Sequence, residues 1–399
     1  GKSKAKKTRN FVISGLGLPF TETTDSGWPA VSLPVMQKLV GDPPKKYGPI
    51  VGYFEQKGMT AEQGQEAARS IAGALEASKI DTLINTFMIP LGELADANSR
   101  IHGSLNINTE TGRLSCRKPN LQNQPAHEKD RYKIRKAFTV EDGNSMIVAD
   151  YGQLELRLLG HITNCQSMLE AFRSGGDFHS RTAIGMYPHV QQAIDEGKAL
   201  LEWDYSQGDA PLPLLKDMFG TERRRAKTLN FSIAYGKTVK GLAKDWNVTD
   251  AEAQDTLNRW YNDRPEVLSW QKATIRKAHE TGYTRTLLGR YRTLPGINGR
   301  DRTLVGHLER ASINTPLQGG AADIVAMAMV NLYRNQRLKE MGWKQLLQVH
   351  DEIVLEGPEE SQDEALAIVR QVMEHPLDQP LLVDLIVDAK VAKTWYDAK

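Results

Sequence analysis

An α+β fold is predicted by three features of the sequence. Most of the chain carries apolar residues at helical spacing, as after the capping-box pattern Thr60-Ala61-Glu62-Gln63, where Ala68, Ile71 and Leu75 share a face. Against that background, residues 145–150 form an apolar run that reads as a buried strand ending on a carboxylate, Asp150. Residues 345–349 and 353–355 are two more apolar runs, and His350-Asp351-Glu352 between them gives a β-hairpin pattern with charges at its tip.

At 399 residues the chain is long enough for two or three subdomains, and 40% hydrophobic with 25% charged residues is ordinary globular composition. No apolar run approaches the length of a membrane span, which predicts a soluble protein with no membrane partner. Cys116 and Cys165 are too far apart for a metal-binding pair and too few for a disulfide framework. Structural zinc and secretion are therefore not expected, and a reducing compartment is. The net charge of +2 conceals basic clusters at 113–136, 223–227 and 285–310, offset by an acidic stretch at 356–364. Local basic patches are what a polyanion meets, whatever the total. The basic opening, residues 1–10, reads as a solvated tail and lacks the apolar core of a signal peptide.

Taken in order, residues 11–41 are rich in glycine and proline and predict irregular structure with one short helix near 33–39. Together with the helix after Thr60, this makes residues 1–105 a small, mainly helical unit. Residues 101–108 alternate as a strand does, and 111–125, with two prolines and several amides, read as a polar loop. After the strand at 145–150, periodicity predicts helices over 154–172 and 179–186. Residues 188–215, with Pro188, Pro211 and Pro213, read as a surface insertion. A helix opens at Thr221, and further helices fill 250–280, divided by Pro265.

The helix from Thr221 holds the first candidate site. Arg223, Lys227, Phe231 and Tyr235 recur every fourth residue, so they fall on one stripe about 18 Å long, two cations followed by two aromatics. The cationic end is also where free backbone N–H groups and the helix dipole attract anions. A nucleoside triphosphate, with a charged tail and a flat head, matches that order; an ordinary amphipathic face has the same spacing. Asp150 and Asp351 form the second candidate. Singly, each suits a turn or a cap. Together, at the rim of one sheet, they are hard oxygen ligands of the kind that hold Mg²⁺ beside substrate phosphates, and two such ions about 3.5–4 Å apart serve in-line displacement at phosphorus.

Other patterns fail. Gly236-Lys237-Thr238 ends like a phosphate-binding loop, but Phe231 stands where its first glycine belongs. Gly15-Leu16-Gly17 lacks the third glycine of a dinucleotide fingerprint. His350, with no Ser or Cys nucleophile in a recognisable context, reads as a structural or substrate-contact residue.

Asp150-Tyr151-Gly152-Gln153-Leu154-Glu155-Leu156-Arg157, the stretch 223–236 and His350-Asp351-Glu352, in that order and at that separation, resemble motifs A, B and C of family A DNA polymerases of the bacterial polymerase I type. Residues 111–115, 119–123 and 309–314 with Gln318-Gly319 agree. Residues 175–182, Trp260-Tyr261-Asn262-Asp263 and Val387-Asp388-Ala389-Lys390 look most like the organellar polymerases of plants and algae. The resemblance covers the polymerase portion only, from about residue 100 to the C-terminus and more loosely the stretch before it, with no exonuclease-like segment among these residues.

The resemblance implies a right-hand polymerase with an antiparallel-sheet palm, helical fingers and a partial, mainly helical thumb. The thumb, with an insertion, falls at 1–105; the palm at 106–167 (motif A) and 312–399 (motif C); and the fingers at 168–311 (motif B, with an insertion at about 188–215). The implied enzyme is a DNA-directed DNA polymerase that adds dNMP from a dNTP to a primer 3′-OH with release of pyrophosphate. It would use two Mg²⁺ ions, with Mn²⁺ able to substitute, and act as a monomer on primer–template DNA. Asp150, Asp351 and the Tyr151 carbonyl would hold the metals, with Glu352 close by. Arg223 and Lys227 would bind the triphosphate, Lys227 also protonating the departing pyrophosphate. Phe231 would support sugar and base, Gln153 and His179 would touch the nucleotide, Tyr235 would stack near the templating position, and Glu155 would exclude a ribose 2′-hydroxyl. Arg113, Asn120, Gln122, Arg310, Asn314, Gln318 and His350 would contact DNA, testing pair geometry rather than sequence. A plastid or mitochondrial location follows, with the transit peptide absent from this chain.

Three departures from the family pattern stand out. Gly152 replaces a common Ser and is expected to loosen the strand-to-helix turn. His127 replaces an Arg. Asp204-Tyr205-Ser206-Gln207 copies the opening of motif A, but without a preceding strand it reads as a decoy. The insertions at about 42–78 and 188–215 are expected to contact DNA or the primer end. A single-subunit RNA polymerase and a non-catalytic nucleic-acid-binding module are the alternative readings; Glu155 and Phe231 oppose the first, and the second leaves Asp150 and Asp351 without a purpose.

Overall fold

The computed structural model describes residues 17–398 apart from Asp25, 126–131, Gly176, 204–207 and Asn247. The basic opening, His127 and the Asp204–Gln207 decoy lie outside the described residues. The chain divides into two compact units, residues 1–102 and 103–399.

In the first unit, α1 (Leu33–Val40), the short strands β1 (Gly41–Asp42) and β2 (Lys46–Tyr47), α2 (Ile50–Gln56) and α3 (Ala61–Leu83) pack around Leu18, Met36, Leu39, Val40, Ile50 and Ala68. The expected capping box opens α3: Gln63 N donates to Thr60 Oγ1 at 3.2 Å, and Thr60 N donates to Gln63 Oε1 at 2.9 Å. A π-helical turn, Ile84–Met88, leads into α4 (Ile89–Leu94).

The second unit begins with β3 (Ser104–Asn106) and β4 (Ser115–Arg117), which pair with Leu105 opposite Cys116. The stretch expected to be a plain polar loop therefore contains a strand, too short and polar to show alternation. Next come β5 (Asn144–Tyr151), α5 (Leu154–Thr163), α6 (Gln166–Arg173), α7 (Phe178–Met186) and α8 (Pro188–Asp195). The single helix expected over 154–172 is two, because Asn164 takes a left-handed φ of 48° and caps the first. Within the insertion, Pro188 sits in the first turn of α8, where its missing N–H costs nothing, and Val190 and Ala193 are buried.

The chain continues through α9 (Leu215–Met218), α10 (Gly220–Ala234), α11 (Val239–Trp246), α12 (Asp250–Asn262) and α13 (Pro265–Thr281), then the hairpin β6 (Tyr283–Arg285) and β7 (Tyr291–Thr293). The break at Pro265 falls where expected. A helix that periodicity did not disclose, α14 (Arg302–Arg334), follows and runs 33 residues with Pro316 inside it. Proline cannot donate to the carbonyl four residues back. That carbonyl, Ser312 O, instead accepts from the buried Thr284 Oγ1 at 3.0 Å, which is how an unbroken helix accommodates the ring. The 311/312 boundary lies inside this helix. Buried Asp323 of α14 accepts from Arg290 Nε at 2.6 Å and Leu288 N at 3.0 Å, fastening the β6–β7 hairpin. The chain closes with α15 (Gln336–Glu340), β8 (Lys344–Val349), β9 (Glu352–Pro358), α16 (Gln362–Glu374) and β10 (Val387–Ala392).

The main sheet is antiparallel throughout, in the order β10-β5-β9-β8. Alternation along β5 sends Ile147, Ala149 and Tyr151 toward Ile324, Val325 and Val369 of α14 and α16, and Met146 and Val148 toward Val354 and Trp395 on the other face. A separate core around Leu229, Ile233, Phe178 and Trp260 joins α10 to α7 and α12. The predicted α+β class holds. Among the described residues no helix is long and apolar enough to cross a membrane.

Candidate active site

The site starts at one end of the sheet. Asp150 is paired with Glu352 across β5 and β9 and with Asp388 across β5 and β10, and Tyr151 N donates to Asp351 O at 3.2 Å. Ladder register thus brings together two aspartates from distant parts of the sequence. Two neighbours take left-handed backbones uncommon outside glycine: Gln153 at φ 56° and His350 at φ 57°. The conformationally special residue of the strand-to-helix turn is therefore Gln153, not Gly152. A Cβ at Gly152 would meet only Ile386 O, at 3.5 Å, so the position has room for a side chain.

Negative charge is concentrated here. Burial pushes the Asp351 carboxyl up to about 6; the charges of Glu155 and Asp150 add to the shift and Arg113 opposes it. Arg113 Nη2 lies 2.5 Å from Glu155 Oε1 and 3.4 Å from Asp351 Oδ1. Glu155, 4% exposed in the first turn of α5, also accepts from the Tyr235 hydroxyl at 2.6 Å, and Gln318 hydrogen-bonds that hydroxyl. Burial and the Glu155 charge push the Tyr235 phenol up.

The donor set suits a hard cation. Two carboxylates and the Tyr151 carbonyl are oxygen ligands only. Among the described residues no group of three His, Cys, Asp or Glu side chains is arranged as a closed metal site. The Tyr151 side chain points away, its hydroxyl donating to Met373 O at 2.6 Å, so only its backbone is available. Glu352 is close by, opposite Asp150 in the ladder; it is 1% exposed, accepts from Trp395 Nε1 at 2.8 Å and lies 3.9 Å from Arg135 Nη1. Its carboxylate braces the sheet against Trp395.

The second half of the site is α10. The stripe forms as predicted, with Phe231 and Tyr235 stacked at 6.3 Å, and no side chain caps the helix start. Arg223 Nε is 2.5 Å from Asp177 Oδ2, while Asp177 also caps α7 through His179 N and Ser180 N. Burial alone would raise the Asp177 carboxyl, but the bonds from Arg223 and Ser180 outweigh it and hold it below its ordinary range. Lys227 is exposed and makes no ion pair among the described residues. An open cleft of about 630 Å³ runs beside the stripe, lined by Phe231, Tyr235, Lys237, Thr238, Asp245 and Arg310. The His179 ring sits 5.7 Å from Phe231, and its imidazole is pushed down to about 4 by burial, with the Lys227 and Arg223 charges adding and Asp177 opposing. It is neutral near pH 7.

Arg310, Asn314 and Gln318 lie four apart on α14, and Gln318 reaches Tyr235. Arg113 Nε, Gln153 Oε1 and Asn314 Oδ1 are buried atoms without a hydrogen-bond partner. Buried polar atoms are rarely left so. Asn120 and Gln122 are otherwise engaged. Asn120 Oδ1 accepts from Gln122 N at 3.1 Å, and the buried Gln122 Nε2 donates to Leu114 O at 3.1 Å and Gln348 O at 3.2 Å, tying the 111–125 segment to β8. Sequence reasoning missed Asp177, whose place just before a helix is a cap signature, and Asn230, a polar residue on the apolar side of α10.

Comparison with known proteins adds to this geometry. The description of DNA polymerase family A matches residues 51–200 and 213–397, and the gap falls inside the insertion at 188–215. The chain is 49% identical to DNA polymerase I B, chloroplastic/mitochondrial, of Arabidopsis thaliana, over 100% of this chain and 43% of that protein. It is 57% identical to DNA polymerase I B, mitochondrial, of Oryza sativa subsp. japonica, over 85% of this chain and 33% of that protein. A solved structure, the POL domain of Pol1 from M. smegmatis in complex with DNA primer-template and dNTP, matches with a TM-score of 0.75 and 29% identity over 99% of this chain and 61% of that one. The chain spans less than half the length of the two plant proteins.

Proposed function

The chain belongs to DNA polymerase family A, and from that premise we propose that it carries out template-directed DNA synthesis, adding dNMP from a dNTP to a primer 3′-OH with release of pyrophosphate. The observation that carries this reading is the sheet-end pair Asp150 and Asp351, linked through Glu155 and Tyr235 to a helix bearing Arg223 and Lys227. In this reading the palm is built on the main sheet (106–167 and 312–399), the fingers are 168–311 around α10, and 1–105 is part of a thumb.

Members of the family are metal-dependent. Asp150, Asp351 and the Tyr151 carbonyl would hold two Mg²⁺ ions, or Mn²⁺ in their place, which when bound lower the pKa of the attacking hydroxyl and stabilise the leaving oxygen. The chain's own residues position and neutralise. Arg223 and Lys227 neutralise the triphosphate, and Lys227, free of an ion pair among the described residues, is the proton donor to pyrophosphate. Phe231 supports the sugar and base, and Gln153 offers its unpartnered oxygen. Glu155, held by Arg113 and Tyr235, occupies the space a 2′-hydroxyl would need. Arg113, Arg310, Asn314, Gln318 and His350 meet the DNA minor groove and primer end, with Asn120 and Gln122 shaping the loop that presents Arg113. The two insertions add contacts to DNA. By its likeness to plant organellar polymerases the protein serves plastid or mitochondrial DNA, as a monomer.

The test is extension of a primed template. Mg²⁺ with dNTPs is expected to support it, chelation to stop it, and ribonucleotides to be poor substrates. Binding of duplex without turnover would overturn the reading in favour of a non-catalytic module, and preference for ribonucleotides would favour an RNA polymerase.

A further inference from the structure

The buried side of α10 carries a polar node that the reading above leaves unused. Asn230 has no exposed surface, and three polar side chains converge on it: Trp260 of α12 and His179 and Thr182 of α7. Trp260 Nε1 lies 2.9 Å from one end of the carboxamide. An indole N–H only donates, so that end is the carbonyl oxygen and the other is the amide nitrogen. Its two hydrogens face Thr182 Oγ1 and His179 Nδ1, each at 3.1 Å. Thr182 Oγ1 donates its own hydrogen to Phe178 O at 2.9 Å, a shorter contact than its 3.4 Å approach to Asn230 Oδ1, and so accepts from the amide. An amide nitrogen cannot accept. His179 Nδ1 must therefore be bare, and the ring hydrogen must sit on Nε2.

We propose that Asn230 is a positioning residue for nucleotide binding: from behind α10 it locks His179 in the Nε2–H tautomer, so that the imidazole offers an uncharged N–H donor to the triphosphate beside Arg223 and Lys227. This rests on the polymerase reading of the site. The lock is rigid because Trp260 is itself 2% exposed and lies under the Arg264 guanidinium at 4.7 Å. The donor belongs to the nucleotide end of the site. Asp177 joins His179 N to Arg223, the ring leans on Phe231, and Nε2 has no hydrogen-bond partner among the described residues. A neutral donor also suits its neighbours, because a third cation beside Arg223 and Lys227 would be repelled when no nucleotide is bound, and burial holds the imidazole neutral near pH 7.

Two variants and two readouts test this. Histidine side-chain ¹⁵N spectra of the whole chain, with the His179 signals identified by their loss in His179→Gln, should show a bare Nδ1 and a protonated Nε2 across the neutral range. Asn230→Asp replaces the donor with an acceptor, which requires a proton on Nδ1 and raises the imidazole pKa. The groups facing His179 in that variant are Asp177, Arg223, Lys227 and the new carboxylate. At neutral pH and above, where Nε2 would lose its proton, the dNTP KM of Asn230→Asp is expected to rise roughly tenfold, the scale of one lost hydrogen bond to a charged group. The rise should shrink as pH falls, with kcat changing less, while the unmutated chain shows no such pH trend. Trp260→Phe removes the donor that orients the amide without adding charge, and should give a mixture of His179 tautomers even if Asn230→Asp folds poorly. A protonated Nδ1 in the unmutated chain, or a KM change in Asn230→Asp that is the same at every pH, would overturn the inference while leaving polymerase activity intact. A correct tautomer in a chain that cannot extend a primer would overturn the proposed function, and with it the nucleotide role, but not the lock itself.

Discussion

At the end of the main sheet, Asp150 and Asp351 are placed by a ladder of backbone hydrogen bonds, whereas on α10 the cations Arg223 and Lys227 stand on a helix held only along its buried side. The sheet imposes its positions before any ligand arrives: register leaves Asp150 opposite Glu352, and burial raises Asp351, with the charges of Glu155 and Asp150 adding. The helix leaves Lys227 exposed and without an ion pair among the described residues, while half-buried Arg223 leans on Asp177. The two acids titrate in opposite directions, Asp351 lifted by burial and like charge, Asp177 lowered by Arg223 and Ser180. One half of the site is a fixed anionic seat, answered in part by Arg113. The other is a cationic strip, part of whose charge is already answered from within.

The difference can be broken at either end. Loss of the seat should cost most: Asp150→Ala or Asp351→Ala is expected to lower the single-turnover rate by more than the ~10²–10³ typical of one electrostatic contact, because the metal leaves with the ligand. On the strip, Arg223→Ala should weaken nucleotide binding by about 10- to 100-fold, the range for a charge-assisted hydrogen bond, seen as a raised dNTP KM. Packing under the seat comes next. A Cβ on Gly320 of α14 would fall 2.5 Å from Leu158 Cδ2, so Gly320→Ala should destabilise by about 1–3 kcal/mol in denaturant unfolding.

A pH effect follows in size, and its sign separates the two acids. Asp351 is raised from 3.8 to about 6, so the folded, metal-free protein holds its proton more tightly than the unfolded chain does. The resulting stability is present at acid pH below the unfolded value and lost as pH rises through about 6. Asp351→Asn should abolish that loss in unfolding curves measured with chelator. Asp177 is lowered, so its contribution is present at neutral pH and fades on acidification. The smallest effect is expected at Gly152→Ser, where the open space beside the backbone predicts a stability change within about 0.5 kcal/mol.

The seat and the strip differ also in how they could be read from sequence. Strands β5 and β9 and the stripe on α10 were legible because period and position are local properties: an apolar run ends on Asp150, a hairpin tip carries Asp351, and every fourth residue from Arg223 shares a face. The long helix α14 was not, because Pro316 and the Gly319-Gly320 pair are local signals against a helix, and the Thr284 hydroxyl that compensates the proline comes from a separate hairpin. The burial of Gln122 against Gln348 depends on β8, far along the chain, and the Glu352 carboxylate is held by Trp395, farther still. Gly152 attracted attention because it is glycine, while the unusual backbone belongs to Gln153. Side-chain partners set by tertiary packing are what a single sequence conceals.

The central claim is that the sheet acids drive chemistry while the helix cations hold the nucleotide. It is tested most directly by the dNTP dependence of single-turnover primer extension in Asp351→Ala and Arg223→Ala, run beside the unmutated chain. The account predicts that Asp351→Ala loses its effect chiefly in the maximal rate and Arg223→Ala chiefly in the half-saturating dNTP concentration. Full maximal rate in Asp351→Ala, or the same pattern of loss in both variants, would contradict it.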